Sequence, residues 1–191
     1  MARPKTITDQ RILEAAGDVI GRTGPGFTLA QVAAEARVSV GTVAQRFGSK
    51  AGLLAALTTH WTERVAVDMR AAADGHESPV DGLRAAAVHT HLGLGDADTA
   101  ANHLGQLGMD LVDPVLRGLL GEHYAAMEGE LRRAASAAAP DLPRAPDPAR
   151  VARVLLAVVN GVSMDWSIRP VGALADRLTE DVDAVLDGWR G

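Results

Sequence analysis

The spacing of apolar residues predicts an all-α protein of about nine helices. Three observations carry that expectation. Apolar side chains recur at intervals of three and four along most of the chain. Hydroxyl residues stand where helix N-caps are needed, at Thr28, Ser39 and Ser49. No stretch shows the β-branched alternation of a strand, and no internal repeat is visible.

Each element follows in order. Ile12, Ala16, Val19 and Ile20 mark a first helix from about Thr8 to Arg22. "TGPG", Thr23 to Gly26, stops it, because a proline between glycines cannot continue a helix. Thr28 caps a short second helix with Leu29, Val32, Ala33 and Ala36 on one face, and Ser39 caps a third that buries Val43 and Phe47. Ser49 opens a long fourth through Leu53, Leu54, Leu57, Trp61 and Val65 toward Ala73. After the linker "DGHESP" (74–79) come helices near 79–94, 97–111 and 113–139. "PDLPRAPDP", Pro140 to Pro148, breaks the chain again before two last helices near 149–168 and 172–189.

The 191 residues are enough for a real core without staples, and with no cysteine there are no disulfides or thiolate metal sites. No apolar run approaches the length of a membrane span, and "MARPKTITDQ" lacks the apolar segment of a secretory signal, so the cytoplasm is the expected compartment and no membrane partner is expected. Net charge is −5 but uneven: residues 1–50 hold seven basic and four acidic side chains, the remaining 141 twelve and twenty. A basic end suits a polyanion and an acidic body does not. The six histidines lack the partner spacing of a ligand set, so neither metal nor cofactor is expected. HExxH, GxSxG and a P-loop are all missing, which leaves catalysis without a constellation.

The second and third helices, joined at Arg37-Val38, form a helix-turn-helix over about 28–47. Ala33, Ala34 and Ala36 supply the small residues that short crossing helices need, and Gly41 lets backbone or phosphate come close. The run "ILEAAGDVIGRTG…FTLAQVAAEARVSVGTVAQRFGSKAGLLAAL" resembles the N-terminal domain of the tetracycline-repressor (TetR) family. Ile12 to Ala16 match its opening, Val38 to Thr42 its Val-Ser-x-Gly-Thr turn, and Phe47, Ser49, Lys50 and Leu53 its exit. Three positions depart from the pattern: Arg37 where Gly commonly precedes Val-Ser, Val40 where a basic or polar residue is common, and Ala44 where an aromatic is usual.

The resemblance implies a DNA-binding domain over 1–50 and a helical ligand-binding and dimerisation domain over 51–191. Together they would make a homodimeric repressor that binds a palindromic double-stranded operator and is released by a small molecule. In that setting Gln45 suits adenine, Arg46 guanine or phosphate, and Val40 or Ala44 a thymine methyl, with Gly41 and Thr42 on the same face. Thr28, Ser39 and Lys50 stand at helix N-termini suited to phosphates, and Arg3 and Lys5 form an arm suited to the minor groove. Expected around an effector are Trp61, His89, His103, Leu107, Met109, Tyr124, Met127, Asn160, Met164 and Trp166. With three Trp, two Phe and one Tyr, a small or aliphatic, weakly polar ligand fits better than a stacked aromatic one. Val151, Leu155, Val158 and Val162, with Leu178, Val182, Leu186 and Trp189, make two apolar stripes expected at a dimer interface. Glycines at 82, 93, 95, 105, 108, 118, 121 and 129 read equally as kinks with a yielding pocket or as compositional drift with close packing. The alternative left open is an all-α small-molecule-binding protein whose helix-turn-helix no longer binds DNA.

Overall fold

The computed structural model describes residues 8–190. Among the described residues nine α-helices run in the order α1 (Asp9–Thr23), α2 (Leu29–Ala36), α3 (Val40–Phe47), α4 (Lys50–Asp74), α5 (Pro79–His89), α6 (Ala97–Asp110), α7 (Pro114–Ala138), α8 (Pro148–Ile168) and α9 (Leu174–Arg190). No strand occurs among the described residues. Short-side-chain caps start most helices: Thr8, Thr28, Ser39, Ser49, Ser78, Asp96, Asp113 and Asp147 each accept a first-turn backbone N–H. α5 ends at His89 rather than near 94, and residues Leu92–Leu94 form a separate 3₁₀ turn flanked by Gly95 at φ 69°.

Two apolar cores form. The first joins Ile12, Ile20, Phe27, Val32, Val43, Leu53 and Leu57, with Leu116 reaching in from α7. The second joins Met69, Leu83, Met127, Leu131, Leu155, Leu178 and Leu186. α4 belongs to both. The expected boundary at residue 50 falls at its first turn, whereas Leu53, Leu54 and Leu57 pack into the first core and Met69 and Ala73 into the second. A 25-residue helix rises about 37 Å, enough to span them. Near its far end Arg70 pairs with Glu130 of α7, and Arg133 bonds Glu130 at 2.9 Å.

Two glycines mark where backbones touch. A Cβ on Gly52 would lie 2.1 Å from the Phe47 carbonyl oxygen, and one on Gly82 would lie 2.7 Å from that of Ala73. These approaches set how α3 enters α4 and how α5 folds back on α4. A Cβ on Gly105 would lie 3.3 Å from Pro25 Cδ, while one on Gly108, Gly118, Gly121 or Gly129 would meet open space. Contrary to expectation, α8 is long and apolar enough to cross a membrane, because it is apolar on two faces. One of these packs into the second core through Val151, Leu155 and Val159, against α7 and α9.

Candidate functional site

The helix-turn-helix is built from local bonds. Thr28 and Gln31 form a capping box, in which the Gln31 side chain accepts the Thr28 N–H at 2.8 Å and Thr28 Oγ1 accepts the Gln31 N–H at 3.3 Å. α2 ends on Arg37 at φ 58°, ψ 45°, the sole non-glycine residue at positive φ among those described. In this left-handed conformation the Val38 N–H reaches the Ala33 carbonyl at 2.9 Å and turns the chain into α3. The glycine expected there has a conformational reason, and this chain uses arginine instead.

α3 buries Val43 completely and leaves Val40, Gly41, Ala44, Gln45 and Arg46 exposed, with Thr42 half-buried. Ser39 Oγ accepts the Thr42 N–H at 3.0 Å and lies 2.9 Å from Thr42 Oγ1, which orders the start of the helix. The outer face is therefore short, ordered and mixed apolar and polar. A Cβ on Gly41 would meet only Ser39 Oγ at 3.6 Å, so nothing inside the chain requires glycine there.

Two cations expected to meet DNA, Arg46 on this face and Lys50 at the start of α4, make contacts within the chain. Arg46 Nη1 bonds Asp9 Oδ1 at 2.9 Å, tying α3 to the first turn of α1. Lys50 turns inward: its Nζ donates to the carbonyls of Pro25 at 2.6 Å and Phe27 at 2.8 Å and sits 4.1 Å from the centre of the Phe27 ring. Desolvation holds its pKa below the ordinary lysine value, with the Asp110 charge opposing. It holds the loop ahead of α2 rather than facing outward. Arg3 and Lys5 lie outside the described residues.

The two stripes expected at a dimer interface lie largely in the chain's own core. Val151, Leu155, Leu178, Val182 and Leu186 are at most 2% exposed and belong to the chain's own core. Val158, Val162 and Trp189 are half-buried against it. The apolar side chains left exposed lie around the helix. On α8 the outward face carries Ala157, Gly161, Met164 and Ile168, with Val171 beyond its end; Met164, Ile168 and Val171 are 55, 68 and 76% exposed.

Between the two cores lies a cavity of about 1040 Å³. Trp61, His89, His103, Leu107, Tyr124, Met127 and Asn160 line it. Met109 and Met164 point outside, 60 and 55% exposed, and Trp166 is buried in the second core, its Nε1 donating to the Gly172 carbonyl at 3.2 Å. The walls add Leu13, Ile20, Leu54 and Leu57 from the first core, His91 and His123, and Gln106 and Asp110 from α6. His103, Gln106, Leu107 and Asp110 share one face at i, i+3, i+4 and i+7, a periodicity legible in the sequence but masked by the apolar residues around it.

The polar lining is ordered. Asn160 Nδ2 donates to the Leu156 carbonyl at 2.8 Å, which orients the amide so that Oδ1 accepts from Tyr124 OH at 3.2 Å and from His91 Nε2 at 3.3 Å. His91 Nδ1 then accepts from Thr90, 2.8 Å away. Thr62 gives its hydroxyl proton to the Thr58 carbonyl, so His123 Nδ1 donates to Thr62 Oγ1 at 3.2 Å and its Nε2 is left as an acceptor. Burial lowers the pKa of His91, His103 and His123 and keeps these rings neutral; the Asn160 hydrogen bond partly opposes this at His91. Among the described residues no group of three or more His, Asp or Glu is placed to hold a metal ion.

α6 also packs outward, against α1 and the Gly24–Gly26 turn. Asn102 Nδ2 donates to the Gly21 carbonyl at 2.8 Å, and a Cβ on Gly21 would lie 3.3 Å from the His103 ring. The helix that lines the cavity is thus wedged against the turn that leads into α2.

The profile of bacterial regulatory proteins of the tetR family matches residues 12–57, and that of the BetI-type transcriptional repressor C-terminal domain matches residues 96–190. Solved structures of other proteins share the fold. A TetR transcription regulator from Haloarcula marismortui superposes with a TM-score of 0.77 at 14% identity, over 96% of this chain and 98% of its own. A transcriptional regulator from Rhodococcus gives 0.73 at 22%, over 96% and 98%. SmeT, repressor of the Stenotrophomonas maltophilia multidrug efflux pump SmeDEF, gives 0.66 at 24%, over 97% and 92%. No curated protein sequence matches the chain.

Proposed function

Because this chain belongs to the TetR family of bacterial transcriptional regulators, we propose that it is a ligand-released repressor that binds a palindromic operator as a homodimer. One observation carries this reading: α6 lines the cavity with His103, Gln106 and Asp110 while Asn102 and Gly105 on the same helix contact α1 and Pro25. A ligand that moves α6 displaces the turn ahead of the helix-turn-helix. It shifts the equilibrium only as far as its affinities for the DNA-bound and released shapes differ.

The outer face of α3 enters the major groove, with Gln45, Thr42 and Val40 toward the bases and the N-termini of α2 and α3 toward phosphates. Two copies meet through the outward face of α8, which fixes the spacing of two half-sites. A mobility-shift assay on DNA upstream of its own gene tests the reading. Retardation of a palindromic fragment by the dimer, competed poorly by random DNA, is expected. No retardation at low salt leaves the alternative, a small-molecule-binding protein without DNA affinity.

A further inference from the structure

The cavity ends in an unmet demand. Gln106 and Asp110 are only 6 and 8% exposed, and Gln106 Nε2 donates to Asp110 Oδ1 at 2.7 Å. A carboxylate accepts only from the NH₂ end of an amide, so this bond fixes the side chain's orientation. Gln106 Oε1 is then a buried acceptor without a hydrogen-bond partner, the single such side-chain atom among the described residues. Left unmet, it has given up its hydrogen bond to water without replacing it.

Charge points the same way. Of the two guanidinium groups on the cavity wall, Arg22 is paired with Glu35 and Arg64 with Asp68. Lys50, the cation whose field reaches Asp110, gives its protons to two carbonyls instead. Asp110 has no ion-pair partner among the described residues, and burial pushes its pKa up. An anionic ligand would meet this carboxylate with no cation ion-paired to it among the described residues. A neutral donor would satisfy Gln106 and leave Asp110 uncompensated.

Resting on the reading of the cavity as the effector site, we propose that it takes an amphiphilic organic cation carrying an N–H bond. Its head donates to Gln106 Oε1 beside Asp110, and its apolar body lies along Leu13, Leu54, Leu57 and Leu107. The neutral His123 ring offers a second acceptor, Nε2, for a head with more than one N–H.

The test compares n-decylammonium, n-decyltrimethylammonium, n-decanol and n-decanoate by isothermal titration at pH 7.5, below their micelle concentrations. Quenching of Trp61, checked against Trp61→Phe, locates the probe. Decylammonium is expected to bind at least tenfold more tightly than decanoate and several-fold more tightly than decyltrimethylammonium, which has no N–H. Asp110→Asn should bring decylammonium to within about threefold of decanol; the wild-type ranking decides alone if that variant does not fold. Equal or tighter binding of decanoate or decanol overturns the inference and leaves the effector site standing. No binding by any of the four removes both.

Discussion

The Lys50 ammonium bonds the Phe27 carbonyl at 2.8 Å and lies 4.1 Å from the centre of the same residue's ring, so the first turn of α4 grips the loop that launches α2. Hydrogen bonds to a charged group contribute about 1.5–3 kcal/mol where one partner is lost. Lys50→Met should lower stability toward urea by about 2 kcal/mol. Its effect on the salt dependence of DNA binding should stay below one phosphate contact. A fall of a full unit in the salt slope with unchanged stability would return Lys50 to the DNA face.

Arg37 adopts φ 58° where a side chain costs roughly 1 kcal/mol relative to glycine. Arg37→Gly should stabilise the protein by that amount, read as a shift of the denaturation midpoint without a change of slope. A destabilised variant would mean that the Arg37 side chain makes contacts that outweigh its backbone strain.

Gln45 is exposed on α3, and nothing among the described contacts holds its side chain inward. Gln45→Ala should leave stability unchanged and relax preference at one base pair per half-site, a loss of about 1–3 kcal/mol there. Selection from random DNA that returns the wild-type consensus would show that it reads no base.

On α8, Met164 and Ile168 face outward while Leu186 of α9 is 1% exposed. Met164→Asp with Ile168→Asp should give folded monomers that lose operator binding, by sedimentation and circular dichroism. Leu186→Asp should unfold the chain, because its charge would be buried in the second core without a partner. A dimer that survives the α8 pair puts the partner on another face.

Acid should weaken the fold before any carboxylate network fails. His91, His103 and His123 have folded pKa values below 6.5, so below about that pH the unfolded chain binds more protons and stability falls. Glu130, held low chiefly by its hydrogen bond from Arg70, gives up its contribution only below its ordinary 4.5. The thermal midpoint should be level above pH 7.5 and drop between 6.5 and 5, and His103→Gln should shrink the drop. A level midpoint down to pH 5 would mean that these rings titrate as free histidines.

Helix order, caps and the helix-turn-helix were legible because each depends on residues within one or two turns. Thr28 and Gln31 cap the helix they precede, Pro25 stops the one before it, and Val43 and Gln45 fall on opposite faces by periodicity alone. Lys50 and the stripes of α8 and α9 were not legible. A lysine at a helix start serves a phosphate or two neighbouring carbonyls equally well, and Pro25 and Phe27 lie more than twenty residues before it. α8 is apolar on two faces, and packing against α7 and α9 assigned Leu155 to the interior and Met164 to the outside. Gln106 and Asp110 form a local i, i+4 pair, yet their burial between α1, α4 and α6 arises from contacts across the whole chain. Periodicity shows that a helix has an apolar face; long-range packing determines what that face meets.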